Sequence, residues 1–125
     1  MQLDATSLVP LYQQISDELV TGILTGEYPE ASQVPSTTQL AREEQLNPAT
    51  VLKGMNQLVD AGLLEKRRGV GMFVATGAVA AVKRRRRQEF ITVQLQQLIA
   101  DAKALDISEE ELVQGIEEGY DNARD

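Results

Sequence analysis

Polar and apolar positions alternate along the chain in a way that predicts helices first, a small hairpin next and helices again. Leu11, Ile15, Leu19, Ile23 and Leu24 fall on one face of a helix predicted over residues 8–24, with Pro10 in its first turn and Gly26 ending it. Residues 27–34 carry Pro29 and no helical period, which suggests a loop leading into a very short strand around Gln33 and Val34. Ser36, followed three residues later by Gln39, reads as a capping box opening a helix over 37–44 that buries Leu40 and Ala41. Asn47 and Pro48 repeat the cap-and-first-residue pattern, and Val51, Leu52, Met55, Leu58 and Val59 continue a helix to Asp60, which Gly62 stops. The turn between these two helices, around Gln45 and Leu46, is short enough for a helix-turn-helix.

Residues 63–66 and 72–75 read as strands on either side of a turn over 67–71 that holds two glycines, so a β-hairpin wing follows the helix pair. From Val79 onward the pattern is helical again. Ile91, Leu95, Leu98, Ala102 and Leu105 recur in steps of 4, 3, 4 and 3, an apolar seam with coiled-coil spacing that two copies of the chain could bury. Ser108 and Glu111 form another capping box, and Leu112, Val113 and Ile116 give the apolar side of a last helix expected to end before Gly119. The expected fold is mainly α with a small β-wing: a winged helix-turn-helix over 1–76 and a helical dimerisation region over 77–125.

Composition narrows the chemistry. The 125 residues contain no cysteine and no histidine, which removes disulfides, thiolate nucleophiles, the usual zinc ligands and the commonest general base near neutral pH. No metal site, no cofactor and no enzymatic activity are expected, since the acidic residues show no spacing of a dedicated cation loop or a converging catalytic pair. No apolar run approaches the length of a membrane span, and MQLDATSLVP lacks the regions of a signal peptide, so a cytoplasmic location away from the membrane is expected. The net charge of −7 opposes nucleic-acid binding until its distribution is considered. Residues 1–76 are net −4, residues 77–88 net +5 and residues 89–125 net −8, so the acid is concentrated in the tail. An acidic tail held more than a Debye length from DNA leaves a local basic surface effective.

The stretch VPSTTQLAREEQLNPATVLKGMNQLVDAGLLEKRRGVGMFV, residues 34–74, resembles the DNA-binding domain of the GntR family of bacterial regulators. The resemblance rests on Pro35 with Ser36, the run Asn47, Pro48, Ala49, Thr50 and Val51, the trio Gly62, Leu63 and Leu64, and Arg67 through Val74, in that order and spacing. PLYQQISDELVTGILTGEY resembles the family's first helix, and the short tail is similar to that of the YtrA-like subfamily. The resemblance implies a repressor acting on nearby genes such as transporter operons. Where family members commonly carry an arginine expected to contact DNA, this chain has Thr38, which implies an altered operator preference.

In a helix-turn-helix the second helix enters the major groove, so Asn47, Ala49, Thr50 and Lys53 are expected to face DNA. Asn47 and Thr50 suit bases or phosphates, Ala49 a thymine methyl, and Lys53 guanine or phosphate. Asn47 is equally explained as a helix cap, and Lys53 as a solvated lysine. Ser36 reads as a phosphate contact at a helix N-terminus or as a cap alone. Gly69 and Gly71 let the wing approach DNA closely, with Arg67 and Arg68 supplying charge, although a glycine-rich hairpin turn has the same composition. Lys83, Arg84, Arg85, Arg86 and Arg87 fit flanking phosphates, or equally a solvated basic face at the start of the long helix that could pair with the acidic last helix of a partner.

The leading expectation is a sequence-specific regulator binding an inverted-repeat operator in double-stranded DNA as a homodimer. The residues after the wing are too few to enclose a drug-sized pocket, so a small-molecule effector is expected only between subunits. A protein-interaction scaffold is the alternative that the acidic net charge favours, and the basic wing beside Lys53 argues against it.

Overall fold

A computed structural model describes residues 1–124. The element order is α1 (Leu11–Thr25), α2 (Thr37–Glu43), α3 (Pro48–Asp60), β1 (Leu64–Arg67), β2 (Gly71–Val74), α4 (Ala78–Glu89), a π-helical segment (Phe90–Gln94), α5 (Leu95–Ala104) and α6 (Glu109–Ala123). Two compact units are present, Met1–Arg84 and a second beginning at Arg85. The first unit thus takes in the start of α4, whose Ala78 and Val82 are buried in its core.

That core forms where α1 crosses α3. Ile15, Leu19 and Ile23 meet Val51, Met55 and Leu58, with Leu40 of α2 and Leu64 and Val74 of the wing completing the cluster. The crossing is close because position 54 is glycine: a Cβ there would stand 2.6 Å from the Tyr12 carbonyl oxygen and 3.3 Å from the Ile15 Cβ. Helix α1 starts at Leu11 rather than Leu8, and Pro10 is its cap, with ψ 147° outside the helical range. Leu8 is fully exposed and has no core contact to draw it into the helix. At the other end Gly26 adopts φ 86°, and the chain folds back so that the Tyr28 ring covers Gly22.

Helices α2 and α3 begin where the caps place them. Ser36 Oγ accepts from the Gln39 N–H at 3.0 Å, and Asn47 Oδ1 accepts from the Ala49 N–H at 2.8 Å. The reciprocal half of the expected box at Ser36 does not form, because the Gln39 amide donates to Glu43 one turn on, at 3.0 Å. The turn between them is a Schellman motif. Gln45 takes a left-handed φ of 54°, and the Leu46 N–H donates to the Ala41 carbonyl at 2.9 Å. The same turn joins α5 to α6, with Asp106 at φ 58° and the Ile107 N–H donating to the Ala102 carbonyl at 2.9 Å.

The wing strands are antiparallel, pairing Leu64 with Val74 at the base and Arg67 with Gly71 at the tip. Arg67 and Gly71 therefore belong to strands, and the turn is only Arg68, Gly69 and Val70. Gln33 adds a bridge to Phe73, as the short strand expected before α2.

In the second unit the helix expected to run on from Val79 is interrupted. Between α4 and α5 the hydrogen bonding widens to i, i+5, with the Leu95 N–H donating to the Phe90 carbonyl. Thr92 Oγ1 donates to the Gln88 carbonyl at 2.9 Å, the back-bonding that competes with a regular ladder. Ile91 lies inside this segment, so the 4,3,4,3 seam is not carried by one regular helix. Helix α6 continues to Ala123 instead of ending before Gly119. Gly119 stays helical because the left-handed φ that a glycine stop needs is not adopted there, and a glycine inside a helix costs only about 1 kcal/mol.

Candidate nucleic-acid interface

The exposed side of α3 is built by its register. Because Val51, Met55 and Leu58 are committed to the core, Ala49, Leu52, Lys53, Asn56, Gln57 and Asp60 are left on the outer side, where with Tyr12 they line a shallow open groove. The Lys53 ammonium lies over the Tyr12 ring, 4.1 Å from its centre, and Gln57 donates to Gln13 at 2.9 Å. Two contacts thus tie the first turn of α1 to the outer side of α3. Of the residues expected to face DNA from this helix, Ala49 and Lys53 are exposed, whereas Thr50 is half-buried. Asn47 is exposed, and its amide oxygen caps the helix.

On α2, Ser36 caps with its hydroxyl and Thr38 is exposed. The wing presents Arg68 and Gly69 at its tip, Gly69 at φ 77°. The Arg67 guanidinium lies over the Phe73 ring, 4.0 Å from its centre. A stacked guanidinium keeps its charge and its outward edge for hydrogen bonding while its apolar face is covered. Gln33 braces the tip from outside the hairpin, donating to the Val70 carbonyl at 2.9 Å. Gly71, at φ 141°, makes room for that brace: a Cβ there would stand 2.5 Å from the Gln33 amide nitrogen.

Tyr12, Gln33 and Phe73 are the site residues that the sequence reading passed over. Each acts on a residue remote along the chain or across a strand pair, and the one local signal was an aromatic residue placed next to the apolar stripe of the first helix. The apolar seam is divided: Ala102 is buried within the second unit and Leu95 half-buried, while Ile91, Leu98 and Leu105 are exposed. Among the described residues no helix is long and apolar enough to cross a membrane.

A three-helix core with a braced two-stranded wing and an exposed, partly basic outer side on the third helix defines a winged helix-turn-helix DNA-binding protein. Residues 11–74 match the profile of the bacterial regulatory proteins of the gntR family, and the chain belongs to that family of transcriptional regulators, which are not enzymes. It is 31% identical over 118 residues to the HTH-type transcriptional repressor YtrA of Bacillus subtilis, covering 94% of this chain and 90% of that one. A transcriptional regulator from Oenococcus oeni shares the fold at TM-score 0.80 and 24% identity, over 94% of this chain and 97% of the other. The DNA-binding domain of AraR in complex with operator ORR3 is similar over 60% of this chain and 90% of its own, at TM-score 0.54 and 28% identity.

Proposed function

We propose that the chain is a homodimeric repressor that binds an inverted-repeat operator, residues 1–76 gripping DNA and residues 77–125 pairing the subunits. Helix α3 lies in the major groove with Ala49 and Lys53 toward base edges and phosphates, Thr50 and the Asn47 cap behind them, and Ser36 and Thr38 at the backbone. The wing sets Arg67, Arg68 and Gly69 against the adjacent phosphates or minor groove, and Gly71 supports the turn. The observation that carries the reading is the Lys53 ammonium, exposed on the outer side of α3 and held by Tyr12. Two further facts support it: a relative covering nearly the whole chain is named a repressor, and a similar domain has been solved on its operator.

Pairing falls to Ile91, Leu95, Leu98, Ala102 and Leu105, several of which a single protomer leaves exposed. Any small-molecule effector binds between subunits, where two tails enclose more volume than one. Selection of bound fragments from genomic DNA, followed by titration of the enriched site, tests the proposal. The expected result is a palindromic site with nanomolar to sub-micromolar affinity, weakened by Lys53→Ala and by Arg68→Ala by about 1–3 kcal/mol each. Binding that ignores sequence and both substitutions would refute it.

A further inference from the structure

We propose that α6 of one protomer docks on the basic end of α4 and the π-helical segment of a second copy, so that the basic run 83–87 serves subunit pairing rather than DNA. The inference rests on the homodimer reading and adds to it which surfaces meet.

Helix α6 has an apolar side that its own protomer leaves uncovered. Leu112, Val113, Ile116 and Tyr120 recur at helical spacing, no residue of the helix is buried, and Val113, Ile116 and Tyr120 are 45%, 42% and 68% exposed. An amphipathic helix draws most of its stability from covering that side. Acid surrounds the stripe: Glu109 stands one turn before Val113, and Glu110 and Glu117 flank it. Over residues 109–121 there are six acidic side chains and no basic one.

The opposite pattern occurs along α4. Lys83, Arg84, Arg85, Arg86 and Arg87 are all exposed, and the next residues include the exposed apolar Phe90, Ile91 and Val93. Lys83 and Arg87 stand one turn apart, as do Arg84 and Arg87, so like charges repel along the helix surface. Arg85 relieves part of this through Glu89 at 3.3 Å. Both surfaces thus set exposed charge beside exposed apolar side chains, basic on α4 and acidic on α6, so the signs attract. A twofold axis forms each such contact twice, and tethering within one dimer raises the effective concentration of each strip for the other.

DNA is the less favoured occupant of the run because phosphates would leave the exposed Phe90, Ile91 and Val93 beside it, and the apolar stripe of α6, uncovered.

The test uses the full chain in three forms: wild type, an α4 variant carrying Lys83→Glu, Arg84→Glu and Arg87→Glu, and an α6 variant carrying Glu109→Lys, Glu110→Lys and Glu117→Lys. Sedimentation equilibrium gives the dimer dissociation constant at about 0.05 and about 0.5 M salt. Expected are a wild-type dimer that loosens with salt, a loss of at least about tenfold in each variant, and recovery when the two variants are mixed, since only the mixed pair restores opposite signs at both contacts. Two variants that remain weak when mixed would overturn the pairing. So would variants that dimerise like wild type while the α4 variant loses operator affinity and salt slope, which would assign the run to phosphates. A wild-type chain that stays monomeric at both salts would instead remove the homodimer reading on which the inference stands.

Discussion

The Lys53 ammonium lies 4.1 Å from the centre of the Tyr12 ring, joining the first turn of α1 to the outer side of α3. The missing side chain at Gly54 lets the two helices come close enough for this contact. The ring restricts where the flexible lysine points before DNA arrives, which lowers the ordering cost of binding. Tyr12→Ala is expected to weaken operator binding by about 0.5–1 kcal/mol, while Tyr12→Phe, which keeps the ring, leaves it unchanged. Titration of labelled operator with both variants decides the point; equal loss in the two would assign the effect to the hydroxyl.

Gln45 sits at φ 54° in the turn between α2 and α3, where a side chain costs about 1 kcal/mol. Gln45→Gly should therefore raise the unfolding free energy by up to about 1 kcal/mol in urea titration, with operator affinity unchanged. A destabilised variant would mean that the Gln45 side chain makes a contribution larger than its strain.

Leu95 is half-buried and Leu98 exposed within the protomer. Leu95→Asp with Leu98→Asp should leave far-UV circular dichroism unchanged, yield a monomer by sedimentation and abolish tight operator binding, because each half-site then binds alone. An unchanged mass would remove the seam.

Burial raises the Tyr28 phenol above its ordinary value, and Glu27, Glu18 and Glu43 add to the rise. The folded state holds the phenolic proton more tightly than the unfolded chain does. Its contribution to stability is complete below about pH 10, the ordinary tyrosine value, and is lost as pH rises through the folded value. Urea titrations from about pH 9 to about pH 11 should show stability falling more steeply for the native chain than for Tyr28→Phe. Parallel curves would contradict the assignment.

The elements that sequence made visible are those with local chemistry. Ser36 and Asn47 announce α2 and α3 because a cap is a contact between residues two or three apart. The glycines of the wing announce a hairpin for the same reason. What stayed hidden depends on distance or on small departures from regularity. Nothing near Lys53 in the chain points to Tyr12, and nothing near Val70 points to Gln33. The π-helical segment was invisible because spacing of 4 and 3 residues is the same whether or not a hydrogen bond widens to i, i+5. Gly119 misled because a glycine marks a helix end only where the backbone turns left-handed, which side chains alone do not report.

The brace from Gln33 to Val70 also shapes how this protein can be rebuilt. The Val34 N–H donates to the Met72 carbonyl at 3.0 Å and the Val74 N–H to the Ser32 carbonyl at 2.9 Å, so the chain closes on itself just outside that brace. Every group proposed to read DNA, apart from Tyr12 behind Lys53, lies inside the closed ring. Operator preference should therefore transfer as a cassette whose natural seams lie before Ser32 and after Val74, so that Phe73 travels with Arg67. A graft cut at the two helices alone would leave behind both the wing and the residue that braces its tip, so Arg67 and Arg68 would not travel with α3.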